Sequence, residues 1–166
     1  MAAGPTYSPI EAKTLGTATS TVTFSSISGS YTDLVLVATA NVSASGYSKL
    51  YFNGVTTTTY SATHLYGTGT VIGTARQTTG DGLGYIQCYY IFTGSNQAML
   101  EINLQNYSNT TTNKTFLIKE SDATYEIQAK AGLWQSTNAI TSITLERVTG
   151  NWSVGSTFTL YGILAA

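Results

Sequence analysis

Charged residues are scarce in this sequence. Lysine, arginine, aspartate and glutamate make up 9% of its 166 residues, whereas an average soluble domain has roughly 25%. The formal net charge is −1, and the seven basic residues are scattered along the chain. Because phosphate binding requires clustered lysine and arginine, we expect no nucleic acid partner.

Cysteine and histidine occur once each, as Cys88 and His64. One cysteine cannot form an internal disulfide, and the two residues together are too few for a Cys/His metal site. Cys88 stands in an apolar run, which predicts a small buried hydrophobe. His64 has no Gly-x-Ser-x-Gly motif to accompany it, so serine-type catalysis is not expected. We expect no cofactor and no metal, although a carboxylate calcium site at Asp81 or Asp122 stays open.

Long hydrophobic segments are also missing. No stretch approaches the ~18 apolar residues of a membrane helix. Residues 1–16 lack the basic start and apolar stretch of a secretory signal. The sequence therefore predicts a soluble protein that is made in the cytosol and has no membrane partner.

Proline occurs only twice, as Pro5 and Pro9. Proline fixes φ and removes a hydrogen-bond donor, which favours extended backbone. We predict an extended N-terminal arm over residues 1–16, which either lies on a neighbouring surface or is frayed. Residues 17–166 then form the folded domain.

The rest of the chain alternates short apolar runs with clusters of glycine, serine, asparagine and threonine, which is typical of strands and turns. Residues 124–131 alternate most clearly. We predict that their odd-numbered members face the core while Glu126, Gln128 and Lys130 face solvent. Residues 34–37 and 85–92 are apolar on both faces, which predicts central strands that are covered on each side or that turn one face to a partner subunit.

Turn signals complete the pattern. Asn53-Gly54 is the strongest hairpin signal, and residues 56–79 are predicted to be long loops with one or two short strands. About 8–10 strands are expected, with almost no helix. The prediction is an all-β fold: a single antiparallel β-sandwich that is jelly-roll-like.

The surface of such a sandwich would be neutral and rich in hydroxyl groups, with twelve tyrosines in the chain. Such side chains lose little entropy when they are fixed, and interface cores are depleted in lysine and glutamate and enriched in tyrosine. The composition therefore favours a subunit of an assembly over an extracellular domain that merely has few charges. The predicted contact residues are Tyr7, Ile10, His64, Tyr66, Tyr89, Trp134 and Trp152.

The sequence is compatible with two other functions, sugar binding and glycan degradation. Trp134, Trp152 and the tyrosines of residues 56–79 are aromatic residues of the kind that stack on sugars. A glycan-degrading enzyme would need two acids in one cleft. Glu101, Glu126 and Glu146 are each predicted on the polar face of a strand, so we do not expect an enzyme.

Several segments together resemble a family of small β-rich structural proteins of tailed bacteriophages. They are TVTFSSISGSYTDLVLV at 21–37, LYFNG at 50–54, YSNTT at 107–111 with KT at 114–115, GLW at 132–134, SITL at 142–145 and FTLYGI at 158–163. The resemblance extends over residues 6–163.

The resemblance implies a virion component, made in the cytoplasm of the bacterial host. Such proteins are similar to capsid cement or head-decoration proteins, which commonly form homotrimers and bind the major capsid protein. Related modules occur in tail fibres, so the alternative is a tail-fibre or spike module that recognises cell-surface glycan. The family provides no catalytic or ligand-binding positions to carry over.

Overall fold

A computed structural model describes residues 6–88, 97–122 and 124–164. These residues form twelve strands and one short 3-10 helix, Thr79–Asp81, and include no α-helix. The strand count exceeds the predicted 8–10. The strands are β1 (Tyr7–Thr14), β2 (Thr21–Phe24), β3 (Asp33–Ala40), β4 (Ser48–Phe52), β5 (Tyr60–Gly67), β6 (Ile72–Gln77), β7 (Ile86–Cys88), β8 (Ala98–Gln105), β9 (Lys114–Asp122), β10 (Glu126–Trp134), β11 (Ile143–Arg147) and β12 (Thr157–Ile163).

The strands form two sheets that pack face to face. The large sheet has the order β1-β12-β3-β8-β9-β10-β5-β6, and the small sheet has the order β2-β11-β4-β7. All pairings are antiparallel. Strands distant in the sequence lie side by side, as in a jelly roll. The predicted all-β sandwich is confirmed.

The hydrophobic core lies between the sheets. Alternate residues of β3 and β8 face the small sheet, so Leu36 and Ile102 are fully buried. An aromatic cluster closes one side: the Phe52 ring lies 5.2 Å from that of Phe116 and 5.6 Å from that of Trp134. Aromatic pairs at this spacing add to the stabilisation from area burial.

Strand β10 is a correction to the predicted faces. Glu126, Gln128 and Lys130 are buried between the sheets, whereas Ile127 and Ala129 are exposed. Trp134 lies on the same face of the strand as the polar residues, and it is inserted in the aromatic core. Because side chains alternate strictly along a strand, burial of Trp134 turns the whole even-numbered set inward.

Residues 7–14 are extended, as expected of the N-terminal segment, and they form a strand of the large sheet. Strand β1 pairs with β12 along the edge of the large sheet, with a register shift between Pro9 and Glu11. Proline has no backbone N–H to donate to a neighbouring strand. It is tolerated in an edge strand because the side that lacks the donor can face solvent.

Two loop predictions are also corrected. Residues 56–79 contain a whole hairpin, β5 paired with β6, so the one or two short strands expected there are two strands of 8 and 6 residues that replace the long loops. Asn53 and Gly54 have positive φ as a tight turn requires, but they connect β4 to β5 of the other sheet and form no hairpin.

Of the two predicted central strands, residues 34–37 lie inside the large sheet, between β12 and β8. In the described part of residues 85–92, β7 pairs with β4 and is the last strand in the order of the small sheet, which corrects the prediction of a central strand there. No helix in the described ranges is long and apolar enough to cross a bilayer.

Candidate functional site

The inner face of the large sheet carries a buried ion pair where β9 and β10 run together. Lys130 Nζ lies 2.7 Å from Glu120 Oε2, and both side chains are almost completely buried. Lys130 also donates to the Gln87 carbonyl oxygen at 2.9 Å. Burial raises the pKa of the Glu120 carboxyl, an effect that the neighbouring Lys130 charge opposes.

His64 and Cys88 lie beside this pair. His64 on β5 is directly opposite Lys130 on β10, and burial followed by the Lys130 charge lowers the imidazole pKa. Cys88 is fully buried, as predicted. Burial raises the pKa of its thiol well above the usual range, so the reactive thiolate is disfavoured.

Acidic residues continue the cluster toward one end of the sheet. Asp122 and Glu126 are opposite each other on β9 and β10, and both are buried. Asp122 Oδ1 accepts from the Thr124 backbone N–H and hydroxyl at 2.9 and 2.7 Å, while Gln128 donates to Glu126. Among the described residues, no three histidine, cysteine, aspartate or glutamate side chains are grouped to hold a metal.

The outer face of the large sheet has the opposite character. Its apolar side chains come from neighbouring strands, and most are more than half exposed: Leu117 on β9 53%, Ile127 on β10 65%, Leu65 on β5 57% and Ile72 on β6 91%. These residues share one face because each lies one position from an inward-facing residue of its strand. Scattered apolar residues are normal on a surface, but a contiguous apolar patch marks an interaction site. We call the outward-facing residues of β8, β9, β10, β5 and β6 the outer face.

Two shallow hollows lie on the outer face. The larger has a volume of about 460 Å³, and Thr63, Ala131 and Thr115 lie in it with the larger Leu117 and Leu133. The second, about 380 Å³, has Leu65, Ala129 and Leu117 among its lining residues. Because small side chains lie next to large ones, this face has hollows and protrusions, which we call its relief. Another protein surface can pack into the hollows.

Charges occupy two opposite sides of the outer face. On β8 and β9, Glu101 and Lys119 form an exposed ion pair at 3.2 Å. The pKa of Glu101 is lowered first by a hydrogen bond from Asn103 and then by Lys119. Arg76 lies on β6, at the other side, and is exposed.

The structure does not bring the predicted contact residues together. Tyr7 is exposed at the β1 edge, with its ring against that of Tyr161, and Ile10 on the same strand packs partly against the core. Trp134 and Trp152 are buried in the core, which corrects their assignment as contact residues.

Two further predicted positions, His64 and Tyr66, are on the inner face of β5. His64 is buried, and its ring lies 6.1 Å from that of the half-buried Tyr66. Tyr89 is outside the described residues. Large aromatic residues occur in both hydrophobic cores and protein interfaces. Residue type alone therefore could not predict which of these aromatic residues are buried in the core and which are on the surface.

The sequence prediction missed the residues that make up the outer face, such as Leu65, Leu117 and Ile127. A signal was present in residues 114–134, because Lys114, Phe116 and Ile118 alternate in phase with Glu120. Pairing the two strands would have placed Lys130 near Glu120.

Comparisons with known proteins leave the family open. No protein-family model matches the sequence, and no curated protein matches it. One solved structure, that of an alginate lyase, aligns over 93% of this chain and 81% of its own, with 8% sequence identity and a TM-score of 0.36. This likeness is too low to support an argument about function.

Proposed function

We propose that this chain is a virion structural protein, a capsid cement or decoration protein that binds the phage head through protein–protein contacts. The phage assignment comes from the sequence resemblance. The outer face supports the more general part of the proposal, namely that the chain works by packing against other chains.

The outer face carries this proposal because its composition is costly to leave in water. Leu117, Ile127, Leu65 and Ile72 together expose apolar area on adjacent strands, and burying such area yields about 25 cal/mol per Å². Several polar residues of β9 and β10 face the inside of the sandwich, where Glu120 and Lys130 pair. A surface of this kind is stabilised by a protein partner.

The alternative function is a tail-fibre or spike module that binds cell-surface glycan. Sugar binding needs exposed aromatic faces, and Trp134, Trp152 and Tyr60 are buried in the core. Tyr66 is half-buried. The residues first considered for stacking on sugar therefore favour the assembly function.

A binding experiment with phage heads tests the proposal. Purified protein is mixed with heads stripped of their accessory proteins and sedimented. We expect saturable binding at many copies per head, and no binding to a glycan array. Absence of head binding together with specific glycan binding would replace this proposal with the tail-fibre alternative.

A further inference from the structure

We infer that the outer face packs against the same face of a second copy of this chain, about a twofold axis that runs along β10. This inference deepens the proposed function, on which it rests, by naming the partner of the outer face. It uses the size, relief and charge pattern of that face.

The outer face is large enough for a stable dimer. Five strands that run side by side for about seven residues give a flat footprint of roughly 550 Å², and the relief of the side chains raises the accessible area above that figure. Two such faces in contact together bury more than the roughly 1,000 Å² of total area that marks a specific interface, whereas a standard interface buries about 800 Å² on each partner. Leu65 and Leu117, which pair with Ala129 and Ala131 of β10, lie near the middle of this area, as hot-spot residues do.

The relief of the face is self-complementary about this axis. Leu117, Ala131 and Thr63 are side by side in one row across β9, β10 and β5. Rotation about β10 places Leu117 of the partner subunit above Thr63. The large leucine then enters the hollow beside Ala131, and the reverse contact forms at the other end of the row.

The charges select this axis over the perpendicular one. The same rotation brings Arg76 of the partner subunit above Asn103 on β8. Asn103 is two residues from Glu101 on the same face, and its side-chain amide donates to Glu101 at 2.7 Å. An axis across the strands through the row of Thr63, Ala131 and Leu117 would place Arg76 above its own copy, and like charges in an interface are repulsive.

A twofold contact has a consequence for the oligomer. Contacts that use the same patch on both subunits close after two copies. The inferred oligomer is thus a dimer, in place of the homotrimer that the resemblance implies.

Sedimentation equilibrium of the full chain tests the inference. The wild type is expected to form dimers. Leu117→Lys places an unpaired charge at the centre of the contact and is expected to weaken dimerisation about 100-fold. Val154→Lys is the matched control, because Val154 is also exposed but lies outside the outer face, and its dimerisation is expected to equal that of the wild type.

The charge arrangement has its own variant. Arg76→Glu is expected to weaken dimerisation about tenfold, and adding Glu101→Arg to the same chain is expected to restore part of the loss. Circular dichroism checks the fold of each variant. If Leu117→Lys does not fold, Arg76→Glu and its rescue decide the matter.

Cross-linking tests the position of the axis. A short bis-maleimide is expected to link Ala131→Cys to its copy, since these residues meet near the axis, and to leave Val154→Cys unlinked. A monomeric wild type, a trimer, or cross-linking at position 154 alone would overturn the inference. If the protein forms dimers that do not bind phage heads, the dimer inference stands and the phage function is refuted. If the protein is monomeric and binds heads saturably, the phage function stands and the dimer inference is refuted.

Discussion

Single residues determine where the polar groups of this chain go. Glu120 and Lys130 are removed from water together and form an ion pair at 2.7 Å. The desolvation of two charges is costly, and a buried pair repays it only with good geometry. Breaking such a pair leaves one charge buried without compensation, which strongly lowers the free energy of unfolding.

Replacing Lys130 with methionine is expected to lower the free energy of unfolding by about 3–5 kcal/mol, because Glu120 then stays buried without its partner. The matched control is Lys119→Met, which breaks the exposed pair with Glu101 and is expected to cost about 1 kcal/mol or less. Urea unfolding measures both. Adding Glu120→Leu to Lys130→Met is expected to recover most of the loss, and equal costs for the two single variants would contradict the account.

His64 is expected to make stability depend on pH. Its pKa is lowered in the folded chain by burial and by Lys130, so below the unfolded value of about 6.5 the unfolded chain binds more protons. The His64 contribution therefore falls as the pH drops through about 6.5. The raised pKa of Glu120 acts in the opposite direction, with stability lost as the pH rises.

The difference between wild type and His64→Gln separates these two effects. Unfolding free energies measured at pH 7.5 and pH 5 are expected to show a smaller loss on acidification in the variant. Identical losses in the two proteins would show that His64 titrates alike in the folded and unfolded chains.

At the scale of elements, β9 and β10 show how packing sets the phase of a strand. Gly132 faces inward beneath Phe116, and a Cβ atom on Gly132 would lie 2.2 Å from Phe116 Cε2. Glycine is therefore required where the Phe116 ring crosses β10. The Phe116 ring and Trp134 together fix which side of β10 faces the core.

Gly132→Ala is expected to destabilise the chain by about 1–3 kcal/mol, since the Phe116 ring must move in a packed core. Gly16→Ala provides the control, because nothing lies within 4 Å of a Cβ atom there. Its effect is expected to stay within about 0.5 kcal/mol. Thermal or urea unfolding compares the two, and a neutral Gly132→Ala would mean that the ring is not held against β10.

Sequence patterns predicted several of these elements but not their orientation. Alternation in residues 124–131 identified a strand, yet a period of two fits either face equally well. The inward direction depends on Trp134 and on the partner Glu120, which is ten residues from Lys130. Asn53-Gly54 likewise predicted a turn, but turn chemistry does not specify which sheet the next strand joins.

The extent of the hairpin β5–β6 was underestimated for a related reason. Its inward-facing residues on β5 are Tyr60, Ala62, His64 and Tyr66. Because the apolar Leu65 lies on the opposite face, the apolar residues of β5 do not alternate cleanly and give a weak strand signal. The outer face depends on β5, and its recognition required the pairing of β5 with β10.

For the whole molecule, fold class was predictable because it depends on sums over many residues. Frequent turns, short apolar runs and the lack of helical periodicity all favoured a sandwich. The low charge also predicted an assembling surface, but its location depends on which side of the large sheet is inward. The outer face is thus a property of the folded chain that no single segment displays.

Thiol labelling of two adjacent positions on β10 tests the central claim, that the apolar side of this strand faces outward and is covered by another chain. Ile127→Cys is expected to react rapidly in dilute protein and to become protected as concentration rises. Gln128→Cys and the native Cys88 are expected to react slowly throughout. Rapid labelling of Gln128→Cys with protection of Ile127→Cys at all concentrations, or no protection of Ile127→Cys at any concentration, would contradict the account.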